Sequence, residues 1–150
     1  MSEDQTKKTI EHINQVKYFM AKIINELEYR MLDHDKSKLE SPEKEIFDEY
    51  TPKLSQTTYG SDEYKQYLKE MKVALDHHYL INRHHPEHFE EGGIYEMNLV
   101  DLIEMICDWK AATLRHKDGD INKSIELNRK RFDISNELTD ILYNTAELFE

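Results

Sequence analysis

His34 and Asp35 stand side by side in the stretch MLDHDKSKLESPEKE, with Lys38 three residues beyond the aspartate. An imidazole, a carboxylate and an ammonium within one turn have two readings: a helix end with a solvated turn, or a metal site that meets a phosphate. The chain has 8 histidines, and most fall near expected helix ends or between helices: His34, the pair His77 and His78, then His84, His85 and His88. Seven-residue spacing would align His77 with His84 and His78 with His85 on one continuous helix, but Asn82 and Pro86 argue against continuity. These rings cannot all face one point. His84 and His85 are the favoured members, His78 the next, and His88 is expected at the surface.

Two more residues stand out by their surroundings. His12 lies beside Ile13 on a helix where an imidazole can project toward a core, and Asp108 sits inside LVDLIEMICDWKAATL among residues expected to face inward. A carboxylate there is costly unless it is paired, hydrogen-bonded or bound to a cation. Each residue also has an ordinary explanation. His12 alone reads as a core or boundary histidine, and His34 as a ring favouring the negative end of a helix. Asp108 alone pairs with Lys110 or Arg115, and Asp101, Glu104 and Asp108 at three-four spacing form a solvated face.

The elements that must position these groups are helices. Only 4 glycines and 3 prolines punctuate 150 residues, and the segments between them are rich in good helix formers. From about Lys7 to Arg30, Ile10, Ile13, Val16, Met20, Ile23, Ile24 and Leu27 recur at amphipathic spacing. Ser41 and Pro42 predict a second helix start, which Pro52 interrupts or ends. Ser61 caps a third helix running to about Tyr79, and Asn98 with Asp101 opens a fourth that reaches about His116. One or two closing helices follow, broken near Asp133. The expectation is a single all-α domain over residues 1–150, with about five to seven helices.

Composition bounds the function. With 31 acidic and 20 basic residues the formal charge is -11, which opposes unselective binding to duplex nucleic acid or a membrane surface but leaves small phosphorylated ligands open. The lone Cys107, expected on an apolar helix face, cannot form an internal disulfide, which fits a reducing cytoplasm. No apolar run approaches the length of a signal peptide or a membrane span.

Taken in order, the motifs resemble the HD-domain phosphohydrolase superfamily. EHINQVKYFMAKI is similar to its opening helix, HDKSKL to its HD turn, HHPEHFEEGG to the paired-histidine and glycine loop of members that bind more than one metal, and LIEMICDWKAA to the helix returning the last aspartate. The resemblance covers roughly residues 10 to 115. It implies an HD-like helical fold and one divalent ion held by His12, His34, Asp35 and Asp108. Asp35 and Lys38 would then be the catalytic pair, Asp35 bridging a second ion or taking a proton from water and Lys38 contacting phosphate. His77, His78, His84 and His85 would serve a second ion or the substrate, and Arg131 is a weaker candidate for phosphate.

Mixed imidazole and carboxylate donors suit manganese, iron, cobalt, nickel or zinc, and magnesium belongs on the same panel, with one or two ions bound. His34 and Asp35 reach one ion only where the helix ends or distorts, because consecutive side chains on a regular helix diverge by about 100°. The expected activity is metal-dependent hydrolysis of a nucleotide or related small phosphate ester, as a monophosphatase or a phosphodiesterase. A helical nucleoside-triphosphate pyrophosphohydrolase built on Asp101, Glu104 and Asp108 is the second expectation. A non-catalytic nucleotide-binding or protein-interaction module is the third.

Overall fold

A computed structural model describes residues 3–58, 60–115 and 117–150, and among them every regular element is a helix. The chain is all-α, with seven α-helices among the described residues. It divides into two compact units, residues 1–34 and residues 35–150.

The first unit is one helix, α1 (Glu3–Asp33), 31 residues long and without a buried residue. Its apolar positions follow the expected periodicity, and it overruns the predicted Lys7–Arg30 core at both ends.

In the second unit α2 (Glu43–Ser55), α3 (Asp62–Glu70) and α4 (Lys72–Ile81) pack together, as do α5 (Leu99–Thr113), α6 (Ile121–Phe132) and α7 (Asn136–Ala146). Met105 and Ile106 of α5 meet Ile125 of α6, Ile134, and Leu142 and Ala146 of α7 in the main apolar core. These side chains stabilise the unit by roughly 1.5–3 kcal/mol for each large residue buried.

Local chemistry explains most boundaries. Ser61 Oγ accepts from Tyr64 N, Asp120 Oδ1 from Asn122 N and Ser135 Oγ from Leu138 N, each filling an otherwise orphaned donor of a first turn. Asn98 and Asp101 form the expected capping box of α5. Gly119 closes the turn after α5, where a Cβ would lie 1.8 Å from the Thr113 carbonyl oxygen. The break near Asp133 is real: its φ of +50 ends α6 before Ser135 caps α7.

Three boundaries differ from expectation. Pro42, not Ser41, occupies the cap position of α2, with no side-chain cap. Pro52 lies within α2 without ending it, since only the last turn follows and few backbone bonds are at stake there. The helix predicted from Ser61 to Tyr79 is two helices, because the chain turns at Met71, a fully buried residue that joins α3 to α4. The expected end of the α5 helix at His116 lies outside the described residues.

Candidate metal centre

The site starts where α1 stops. His34 N still donates to Arg30 O at 2.8 Å, but Asp35 turns into the left-handed region with φ +54 and opens the short 3₁₀ turn Lys36–Leu39. That conformation costs a non-glycine residue about 1–2 kcal/mol. It is the local distortion that the adjacent His34 and Asp35 demanded of the sequence. The turn folds Lys38 back on the aspartate, so that Lys38 Nζ donates to Asp35 Oδ2 at 2.7 Å.

Asp35 Oδ1 faces two histidine nitrogens, His78 Nε2 at 3.3 Å and His84 Nε2 at 3.5 Å. A carboxylate oxygen lies behind each ring. His78 Nδ1 lies 2.9 Å from Glu43 Oε2, and His84 Nδ1 lies 3.1 Å from Glu104 Oε1. A carboxylate at Nδ1 selects the tautomer with the proton there, which turns the Nε2 lone pair toward Asp35. His78 and His84 are both almost wholly buried, so neither ring can relieve this arrangement by turning to water.

Two further groups complete the cluster. His85 Nε2 lies 3.0 Å from His78 Nε2, and Asp108 Oδ2 lies 3.8 Å from His84 Nε2. The ligand atoms of Asp35, His78, His84 and His85 all fall within 4.8 Å of one another. Burial, then the neighbouring His84 and His78, push the His85 imidazole down to about 3, so it stays neutral near pH 7 and keeps a lone pair to offer. Three imidazole nitrogens and one carboxylate oxygen gathered this closely fit a borderline divalent cation.

Glu43 is the centre of the supporting network. It is fully buried, yet opens α2 in sequence and receives hydrogen bonds at its carboxylate from His77 Nδ1 at 2.7 Å, His78 Nδ1 and Ser37 Oγ at 2.9 Å. Burial alone would raise its pKa, but the bonds from His77, His78 and Ser37 outweigh that and hold it below the usual carboxylate value. Asn82 Nδ2 donates to Ser37 Oγ at 2.9 Å and to His78 O at 2.9 Å, joining the end of α4 to the turn that carries Asp35. Arg83, the next residue, forks onto fully buried Asp101 at 3.2 and 3.0 Å, which ties the start of the His84–His85 segment to α5.

Residues 1–148 match a family described as "Family of unknown function (DUF5662)". The chain belongs to DUF5662. No curated protein and no solved structure matches it.

In this DUF5662 chain the expected site residues sort into three groups. Asp35, His78, His84 and His85 come together, with Asp108 at their edge. Lys38 and His77 stand behind the cluster: Lys38 holds the second oxygen of Asp35, and His77 hydrogen-bonds Glu43. Arg131 is instead paired with Glu87 at 2.6 Å, and His88, expected at the surface, is half-buried with Nδ1 against Tyr79 O at 2.8 Å. Cys107 is exposed, not on the buried face of α5.

His12 is the residue the fold separates from the others. It is exposed on α1, 22 residues before His34, which places it about 33 Å along the helix axis from the HD turn. Within one chain His12 cannot share an ion with Asp35, which is bonded directly to His34. Glu43 is not among the expected site residues, and Glu104 is expected only in the acidic-helix pyrophosphohydrolase, yet each lies behind a histidine of the cluster. The sequence carries only a faint signal of them: Glu43 looks like an acid favouring a helix N-terminus, and Glu104 like one member of a solvated stripe. Among the described residues no helix is long and apolar enough to cross a membrane.

Proposed function

We propose that this protein is a metal-dependent phosphohydrolase acting on a nucleotide or a related small phosphate ester. The single observation that carries the reading is the pair of buried carboxylate–histidine dyads, Glu43–His78 and Glu104–His84, whose Nε2 atoms both face Asp35 Oδ1. With a cation among them every donor is used, and the carboxylates behind the rings raise their basicity. The ordered motifs that resemble the HD superfamily point to phosphate esters as the substrate class.

His78, His84, His85 and Asp35 would hold the ion, with His34 and Asp108 the next candidates on sequence adjacency and on the 3.8 Å approach to His84. A divalent ion there supplies Lewis acidity, making water a competent nucleophile near neutral pH and offsetting charge on a phosphate oxygen. The chain's own groups do the rest. Lys38 fixes the Asp35 carboxylate through Oδ2 and leaves Oδ1 for the centre. Asp108, less deeply buried than His78 and His84, would accept a proton from an attacking water. The cluster favours this reading over an acidic-helix pyrophosphohydrolase, because Asp101 serves the α5 cap and Arg83 while Glu104 serves His84.

The test is a metal-stripped preparation reloaded in turn with manganese, iron, cobalt, nickel, zinc and magnesium. It is assayed on nucleoside monophosphates, cyclic nucleotides and nucleoside triphosphates. Phosphate release or ring opening that needs the metal and disappears in His84→Ala supports the proposal. Failure to bind any of these ions, or turnover indifferent to His78→Ala and His84→Ala, overturns it. Ligand binding without turnover on the whole panel favours a non-catalytic nucleotide-binding module.

A further inference from the structure

The basic residues that close α6 divide by where they find their partners. Arg129 forks onto Glu126 at 3.0 and 2.8 Å, and Lys130 Nζ lies 3.6 Å from the same carboxylate, so both pair on their own helix. Arg131 leaves the helix. Its guanidinium donates to Glu87 Oε1 at 2.6 Å, across 44 residues of sequence, and to the Tyr79 phenol. These two partners adjoin the metal cluster in the chain: Tyr79 follows His78, and Glu87 lies two residues after His85.

Each partner is also tied to the histidines in space. The Tyr79 ring lies 5.1 Å from the His85 ring and 6.1 Å from the His78 ring, centroid to centroid, and the Tyr79 carbonyl oxygen is 2.8 Å from His88 Nδ1. Glu87 sits in the 3₁₀ turn Pro86–His88, where His88 N donates to His85 O at 2.9 Å. A shift of that turn therefore carries the His85 backbone with it.

The Arg131–Glu87 pair is a weak device for global stability. The arginine is 52% exposed, and an ion pair so close to solvent contributes little to folding. Its effect is local. The Glu87 side chain is only 26% exposed, and its Oε2 is sealed from solvent with no hydrogen-bond partner among the described residues. A carboxylate in that state stays inward because a guanidinium holds its other oxygen; without that charge, hydration draws it outward.

We propose that Arg131 is the positioning residue of His85: by holding Glu87 and Tyr79 together from the end of α6, it keeps the His85 imidazole against His78 and His84. The consequence for a bound ion rests on the metal-centre reading above, whereas the placement of the ring belongs to the metal-free chain as well. A planar guanidinium suits this task, since its fixed fork serves two acceptors at once, and the compact lysine ammonium does so less well.

Two measurements on the full chain test it. Cobalt(II) titration of the metal-stripped protein, followed by visible absorption, reads the ligand set. Arg131→Ala should weaken cobalt binding by about 10- to 100-fold and alter the band shape, Arg131→Lys should recover part of the affinity, and Arg129→Ala should match the wild type within about twofold. Histidine ring resonances of the metal-free protein, with the His85 signal assigned through His85→Gln, read the ring itself. That signal should move in Arg131→Ala and in Glu87→Gln, and the double variant should move it little further than either. Glu87→Gln keeps the side-chain volume and gives the same comparison where Arg131→Ala loses its helical circular dichroism. A His85 signal unmoved by both substitutions, single-variant shifts that simply add, or cobalt affinity equal in wild type and Arg131→Ala overturns the inference. A wild-type chain that binds no cobalt counts against the metal-centre reading instead, because the ring resonances still decide what Arg131 does.

Discussion

Glu43 Oε2 lies 2.9 Å from His78 Nδ1, and the carboxylate that makes this contact has no exposed surface at all. A buried carboxylate is expensive, and its retention here depends on three hydrogen bonds and on what the bonded ring does at its other nitrogen. Glu43→Gln keeps the volume and removes the charge. The expected result is a 10- to 100-fold loss of metal affinity with the fold intact, measured by calorimetric titration of the metal-stripped protein. An unchanged affinity would reduce Glu43 to a structural role.

Glu104 and Asp101 lie one turn apart on α5 and separate the two enzymatic readings. Glu104 faces His84 Nδ1, whereas Asp101 takes Arg83 and the Asn98 backbone. Glu104→Gln should therefore lower metal affinity and turnover by a similar factor to Glu43→Gln. Asp101→Asn should chiefly cost stability, about 1–3 kcal/mol, because it weakens the hydrogen bonds from Arg83 and the Asn98 backbone while the half-exposed Arg83 can turn to water, which a urea titration reads directly. Activity lost in Asp101→Asn at full stability would instead favour an acidic-helix pyrophosphohydrolase.

How far these features are legible in sequence depends on how local their causes are. The Asn98–Asp101 box, the Ser61 cap and the turn at Asp35 are each decided within four residues, and each is where the sequence placed it. The turn at Met71 is not, because KEMKVA contains no breaker and the chain bends there to bury the methionine. Adjacent His77 and His78 look alike in sequence, yet one ring ends beneath the carboxylate and the other reaches the centre, a division made by packing of α2 against α4. Glu43 was unreadable as a site residue for the same reason: its partners are 34 and 35 residues away.

The neutral state of His85 makes a pH prediction for the metal-free protein. Its folded pKa of about 3 lies below the ordinary value of 6.5, so between these limits the unfolded chain binds a proton that the folded chain refuses. Stability from this group is fully present above pH 6.5 and is lost as pH falls toward 3. From pH 7 to pH 5 one such proton is worth of the order of 2 kcal/mol. Urea unfolding at the two pH values should show this fall in the wild type and a smaller fall in His85→Gln. Equal pH dependence in the two would mean that His85 is protonated in the folded chain.

His12 gives the last prediction. Its place about 33 Å along α1 from the HD turn means that a chain cannot use its own His12 at the centre built around Asp35. His12→Ala should leave metal stoichiometry and affinity unchanged within twofold. Elemental analysis after gel filtration, with a calorimetric titration, measures both. Unchanged affinity leaves His12 as an exposed residue of a helix face. Loss of metal would require α1 to break between His12 and His34, which a helix continuous over Glu3–Asp33 contradicts.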